Sequence, residues 1–307
     1  MSSPTGPASG LPVRMPRPRQ SGRHRRPEPV AAPEGAPALV LAVPGAPAPA
    51  TRGLAEETIS IARSELPGLD VGIGYLDGDD ASEYPTLAGV LARTAARRTE
   101  RYEIAVAAGR EVAAPEGPAA VVVPLLAGPD NVLMRRIRQG VMDSQCAVEL
   151  SDVLGPHPLL AEALHVRLSE AGLARADRAR LFTVATAADG IILATVGGEE
   201  AVRAAGITGM LLAARLAVPV MAAALDTEGS VGAIAEQLRG SGSVQLALAP
   251  YLVGPELPEG LLDAAVKEAG CSAAEPLGAY PAIGKLVLSQ YTTTLGITPQ
   301  PQGSPAH

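Results

Sequence analysis

The sequence predicts an α/β fold: two similar lobes, each a parallel sheet flanked by helices, arranged as a tandem duplication around a cleft. Three observations carry that expectation. First, Pro124-Leu125-Leu126-Ala127-Gly128-Pro129-Asp130 recurs 126 residues later as Pro250-Tyr251-Leu252-Val253-Gly254-Pro255-Glu256. A second phrase, Leu154-Gly155-Pro156-His157-Pro158, recurs 123 residues later as Leu277-Gly278-Ala279-Tyr280-Pro281. Two phrases repeated in the same order at nearly one interval mark one unit present twice, and a unit longer than a hundred residues is a domain. Second, the apolar segments are unbroken runs of strand length, as expected of strands covered on both faces. Third, these runs alternate with helical periodicity and short turns, the pattern of parallel sheets with right-handed crossovers.

Taken in order, Ala38–Val43 is the first apolar run, followed by the turn-rich Pro44-Gly45-Ala46-Pro47-Ala48-Pro49. Leu54, Thr58, Ile61, Ala62 and Leu66 then fall at helical spacing, and Pro67-Gly68 stops that helix. Leu69–Leu76 reads as the second strand. Helices follow over 85–98, 130–142 and 158–170, with a strand over 119–126. Residues 100–118 have no counterpart in the second copy and read as an insertion or long loop. The second copy repeats the scheme. Strands are expected at Gly190–Thr195, Val218–Leu225 and 243–249, and helices at about Glu199–Leu216, 230–239, 257–269 and 281–290. Asp77 and Asp226 end matching strands. The lobes are thus expected at 38–170 and 189–291, joined by a linker at 171–188.

Residues 1–37 are rich in Pro, Ser and Arg, with six arginines against Glu28 and Glu34. Such a composition cannot bury enough apolar surface to offset chain entropy, so a disordered basic arm is expected there, and a disordered tail at 292–307. Aromatic residues are 2% of the chain and the net charge is −7, which argues against nucleic acid as a partner. Apolar runs such as Ala119–Leu126 are too short for a membrane span, which needs roughly 20 residues, and no secretory signal is evident. Cys146 and Cys271 occupy equivalent places in the two copies and form no C-x-x-C pair. They read as small buried residues on strands, and a cytoplasmic location is expected.

Ligands of open parallel sheets bind at the carboxyl ends of the strands. Those ends are 44–51 and 127–131 in the first copy and 196–199 and 253–257 in the second. Asp130 and Glu256 occupy equivalent places after the two Gly-Pro turns and could meet in one cleft. N-capping of the helices that follow is the favoured reading of Asp130 and, since Glu is a poorer cap, a weaker one for Glu256. Arg135, Arg136 and Arg138 follow Asn131 on one predicted helix, either as partners for carboxylates or as an ordinary solvated face. His157 lies in the turn before a helix, where imidazole can fix the loop or bind a metal; His165 is expected on a helix surface.

The phrases at 122–132 (V-V-P-L-L-A-G-P-D-N-V) and 154–164 (L-G-P-H-P-L-L-A-E-A-L) resemble those of the sirohydrochlorin chelatases. These are class II metal chelatases that insert cobalt or iron into a tetrapyrrole in cobalamin and sirohaem synthesis. The resemblance spans about 38–291. It implies lyase chemistry with Co²⁺ or Fe²⁺ as substrate, and two histidines that bind metal and accept protons. Here the family's histidine positions hold Pro44 and Asn131, so weak or absent activity is expected. The resemblance leaves Gly45, Asp130, Asn131, Arg135 and Glu256 as pocket candidates and His157 as a metal candidate. The alternative reading is a non-catalytic protein that binds a tetrapyrrole or other anionic small molecule, or a regulatory partner of an active chelatase paralogue.

Overall fold

A computed structural model describes residues 31–33, 35–174 and 188–297. Most of the arm, the linker and the tail expected from the sequence lies outside these residues. Lobe 1 contains β1 (Ala38–Val43), α1 (Pro49–Glu65), β2 (Val71–Tyr75), α2 (Leu87–Ala107), β3 (Ala120–Pro124), α3 (Asn131–Asp143), β4 (Val148–Leu150) and α4 (Pro158–Glu170). Lobe 2 repeats the order as β5 (Gly190–Thr195), α5 (Gly198–Leu216), β6 (Val220–Ala224), α6 (Ser230–Gly240), β7 (Leu246–Pro250), α7 (Leu261–Ala269), β8 (Ser272–Ala273) and α8 (Pro281–Thr294).

The sheets run β2-β1-β3-β4 and β6-β5-β7-β8, parallel throughout. In register, Leu41 of β1 lies between Ile73 and Val123, and Leu193 of β5 between Ala222 and Ala249. Successive strand residues point to opposite faces, and here the two faces belong to different cores. Leu39, Leu41, Val121 and Val123 join Ile191, Leu193, Ala247 and Ala249 in one cluster that spans both lobes. Val40, Ala42 and Val122 face a separate cluster under α2 and α3. Ile192, Ala194 and Leu248 face a third under α6 and α7.

The shared core is completed by an exchange of terminal helices. α4, at the end of the first copy, packs on α5 and β7; α8, at the end of the second, packs on α1 and β3. The α8–α1 crossing is close because position 284 has no side chain: a Cβ on Gly284 would lie 2.5 Å from Ile61 Cβ. Arg167 of α4 donates from Nε and Nη2 to the Leu277 carbonyl at 3.2 and 2.8 Å, and Tyr291 of α8 donates to the Pro37 carbonyl at 2.6 Å.

Several expected boundaries shift. α2 continues to Ala107, so much of 100–118 is helix and not loop. α8 continues to Thr294, three residues into the expected tail. The strands β4 and β8 are three and two residues long, too short to give an apolar run, and close the sheet edges. Cys146 and Cys271 precede them on turns and are only partly buried, not buried within strands. His165 is not on a helix surface: it is 5% exposed between α4 and α5, where Arg215 Nε donates to its Nδ1 at 2.8 Å.

Candidate functional site: the strand-end seam

The repeated phrases touch one another within each copy. Leu154 N–H donates to the Leu126 carbonyl at 3.0 Å, and Leu277 N–H donates to the Leu252 carbonyl at 2.9 Å. Each Leu-Gly turn therefore braces the Gly-Pro turn of its own copy. Both Gly-Pro turns then reach across to the other lobe. A Cβ on Gly45, in the turn after β1, would stand 1.8 Å from the Pro255 carbonyl oxygen. A Cβ on Gly197, in the turn after β5, would stand 2.8 Å from the Pro129 carbonyl oxygen and 3.2 Å from Asp130 Cα. Gly45 has φ +80° and Gly197 has φ +112°, so both glycines are required by backbone conformation as well as by clearance. The carboxyl ends of the two sheets meet reciprocally, and the expected cleft is a seam of touching backbones.

The acids of the seam are committed to main-chain donors. Asp130 caps α3, its Oδ1 accepting from Val132 and Leu133 N–H at 2.8 and 2.9 Å. Glu256 folds back on its own turn and accepts from Val253 and Gly254 N–H at 2.6 and 2.8 Å. Both are 8% exposed. Burial pushes the Glu256 carboxyl up to about 7; its backbone bonds oppose the rise and the neighbouring Asp130 charge adds to it. Asp226, after β6, accepts from Gly197 N–H at 3.0 Å. Asn131 and Glu200 join the lobes at the exposed rim, Nδ2 donating to Oε2 at 2.7 Å.

Beneath the turns, Tyr251 replaces the leucine of the first repeat and enters lobe 1. A Cβ added to Gly128 would lie 3.2 Å from its ring, and one added to Gly155 would lie 2.2 Å from its hydroxyl. That hydroxyl accepts from Thr208 Oγ1 at 3.2 Å, and burial pushes its pKa up to about 12. Gly197 and Asp226 lie at strand ends marked from the sequence but with no role assigned there, and Tyr251 and Glu200 were not among the candidates. The Leu125/Tyr251 difference inside the repeat was the one available signal.

Among the sequence candidates, Gly45, Asp130, Asn131 and Glu256 come together at the seam, and Pro44 is buried beside them. Arg135 is exposed one turn along α3 and donates to the Asn131 carbonyl at 3.2 Å. Arg136 is turned toward lobe 1, pairing with Asp77. His157 is engaged as the cap of α4: its Nδ1 accepts from Leu159 N–H at 3.1 Å, and burial lowers its pKa, which favours the neutral ring. No group of three or more His, Cys, Asp or Glu side chains suited to a metal gathers among the described residues.

No protein-family profile matches this chain, and no curated protein matches it. Solved structures that align with it include a periplasmic ribose ABC transporter protein from Conexibacter woesei DSM 14684, at 13% identity over 89% of each chain with a TM-score of 0.33. Another is a probable LacI-family transcriptional regulator from Corynebacterium glutamicum, at 13% identity over 84% of this chain and 93% of that one, TM-score 0.33. A third is a periplasmic binding protein/LacI transcriptional regulator from Alkaliphilus metalliredigens QYMF complexed with D-xylulofuranose, at 10% identity over 85% and 92%, TM-score 0.29. At these scores none of them bears on ligand or chemistry.

The chelatase resemblance is corrected by these findings. No chelatase profile and no curated chelatase matches the chain. The family, lyase, metal-insertion, cobalamin and sirohaem expectations fall with it. The phrases that carried the resemblance have structural work instead, since each braces a lobe–lobe contact. No helix among the described residues is long and apolar enough to cross a membrane.

Proposed function

We propose that this protein is a non-catalytic binding protein that takes a small polar molecule at the mouth of the strand-end seam. The observation that carries the reading is the reciprocal meeting of the two lobes at Gly45/Pro255 and Gly197/Pro129, which puts both sets of strand ends at one place. The absence of catalysis is supported by how the acids there are used. Asp130, Asp226 and Glu256 are each bonded to main-chain N–H groups, and among the described residues none is paired with a nucleophile or base. Asn131 and Glu200 offer exposed polar groups at the mouth.

Charge narrows the ligand. Asp130, Glu200, Asp226 and Glu256 lie at the seam, with Arg135 nearby on α3. That balance opposes a multiply anionic ligand and so disfavours a polycarboxylate tetrapyrrole. An uncharged polyol or a cationic amine suits it better. The free thiols Cys146 and Cys271 support a reducing, cytoplasmic setting as part of the same proposal.

The test is calorimetric titration of the full chain with polyols, polyamines and tricarboxylates. Saturable binding of a polyol or polyamine, weakened ~tenfold or more in Asn131→Ala at unchanged melting temperature, is expected. Tightest binding to a tricarboxylate, no binding in any class, or binding indifferent to Asn131→Ala overturns it. So does chemical conversion of the bound molecule.

A further inference from the structure

The two copies finish the outer edges of their sheets differently. β2 and β6 are edge strands in matching register: Tyr75 pairs with Val43 at the end of β1, and Ala224 with Thr195 at the end of β5. In lobe 1 the turn after the edge strand, residues 76–86, returns along it. Tyr75 N–H donates to the Pro85 carbonyl at 2.9 Å, Tyr75 and Thr86 form a parallel bridge, and the Tyr84 ring stands edge-on to Tyr75 with centroids 5.4 Å apart. Glu83 pairs with Arg52, near the start of α1, at 2.5 Å. An aromatic ring and a carboxylate therefore cover this end of the first sheet, ring against ring and carboxylate against arginine.

Lobe 2 leaves the same place open. Its turn, residues 225–229, is too short to return along β6, and the Ser230 hydroxyl accepts from Ala224 N–H instead, at 3.1 Å. Ala224 stands where lobe 1 has Tyr75. Ala55, Thr58 and Ala62 of α1 match Ala205, Thr208 and Leu212 of α5, and at that shift Val202 stands where lobe 1 has Arg52. With both large side chains and the covering turn gone, a cavity of about 380 Å³ remains, lined by the apolar Val202, Ala222, Ala224 and Ile234. That volume lies within the roughly 300–1,000 Å³ of small-molecule sites. Arg203, one position beyond the counterpart of Arg52, also lines it and makes no hydrogen bond or ion pair among the described residues.

We propose that this cavity binds a small aromatic monocarboxylate, the free-molecule equivalent of the ring and carboxylate that lobe 1 supplies from Tyr84 and Glu83. The ring packs on the alanines and Ile234, and the carboxylate pairs with Arg203. Glu199, one turn before Arg203, borders the cavity and repels a second carboxylate. It is a poor anchor for an amine, because it sits in the first turn of α5, where the helix dipole already offsets its charge.

The test is calorimetric titration of the full chain with 4-hydroxyphenylacetate, with acetate and tyramine as controls. Saturable binding at one site is expected, weakened ~tenfold or more by Arg203→Gln and by Ala233→Trp at unchanged melting temperature. Ala233 is exposed at the rim of the cavity, so a ring placed there blocks it without entering the core. Asn131→Ala should leave this binding unchanged, which separates it from the ligand reading at the seam. No saturable binding, binding indifferent to Arg203→Gln or to Ala233→Trp, or equal affinity for acetate or tyramine overturns the proposal. So does loss of binding in Asn131→Ala, which would put the molecule at the seam.

Discussion

Replacing Gly45 by alanine should cost far more than replacing Gly68, although the two glycines share nearly the same backbone conformation. Gly45 has φ +80° and Gly68 has φ +83°. An alanine in that region costs roughly 1–2 kcal/mol from Cβ crowding alone, and this is all that Gly68→Ala should show, because nothing lies within 4 Å of its added Cβ. At Gly45 the added Cβ would be 1.8 Å from the Pro255 carbonyl oxygen, and reaching ordinary contact at 3.4 Å means moving that backbone by about 1.6 Å. The carbonyl belongs to the turn held by Glu256 at Val253 and Gly254, so it cannot retreat without loosening those bonds. Overpacking of this kind adds about 1–3 kcal/mol, for a total of roughly 2–5 kcal/mol. Thermal unfolding followed by circular dichroism should place Gly45→Ala at least ~2 °C below Gly68→Ala. Equal melting temperatures would show that the two lobes do not meet at Pro255, and the seam would have to be abandoned.

Other expected outcomes follow the same contacts. Tyr251→Phe should destabilise by about 1–2 kcal/mol in urea denaturation, because Thr208 Oγ1 loses its buried partner. Glu256→Gln should alter the pH dependence of stability. With its pKa raised to about 7 from 4.5, native Glu256 holds its proton more tightly than the unfolded chain does. Its contribution is therefore fully present below pH 4.5 and lost as pH rises to 7, by a shift worth up to ~3 kcal/mol. Urea midpoints at pH 5 and pH 8 should differ less in Glu256→Gln than in the parent; an unchanged difference would remove Glu256 from the account. Asp130→Asn keeps the cap of α3 but removes the neighbouring charge, so it should lower the Glu256 midpoint while Asp130→Ala costs ~1 kcal/mol of helix stability. Gly284→Val should separate α8 from α1 and lower the melting temperature, because its side chain would collide with Ile61.

The duplication, the order of elements and the strands at Ala38–Val43 and Gly190–Thr195 were legible because buried parallel strands write themselves as unbroken apolar runs. The edge strands Val148–Leu150 and Ser272–Ala273 were not, since two or three residues give no period. The helix exchange was hidden for a different reason: an apolar helix face does not state which lobe it will cover, and α4 and α8 each cover the other copy. At the site, sequence spacing placed Asp130 and Glu256 as equivalents after matching turns. It did not show which backbones Gly45 and Gly197 would meet, because a glycine's role depends on the backbone brought against it. His157 and Asn131 drew notice as chemistry-bearing residue types, yet one caps a helix and the other bridges the rim to Glu200. The phrases that resemble a chelatase are those that hold the repeated turns together, so they reflect a structural constraint and not a chemical one.

Amide hydrogen exchange at Val253 and Gly254 tests the closed seam most directly. Both N–H groups end on the buried Glu256 carboxylate, behind the contact between Pro255 and Gly45. Exchange is expected only through openings that approach global unfolding, slowed further when a ligand occupies the mouth. Exchange as fast as at the exposed Gly117 loop, unaffected by any ligand, would mean that the strand ends stand open to water and that the two lobes do not form one site.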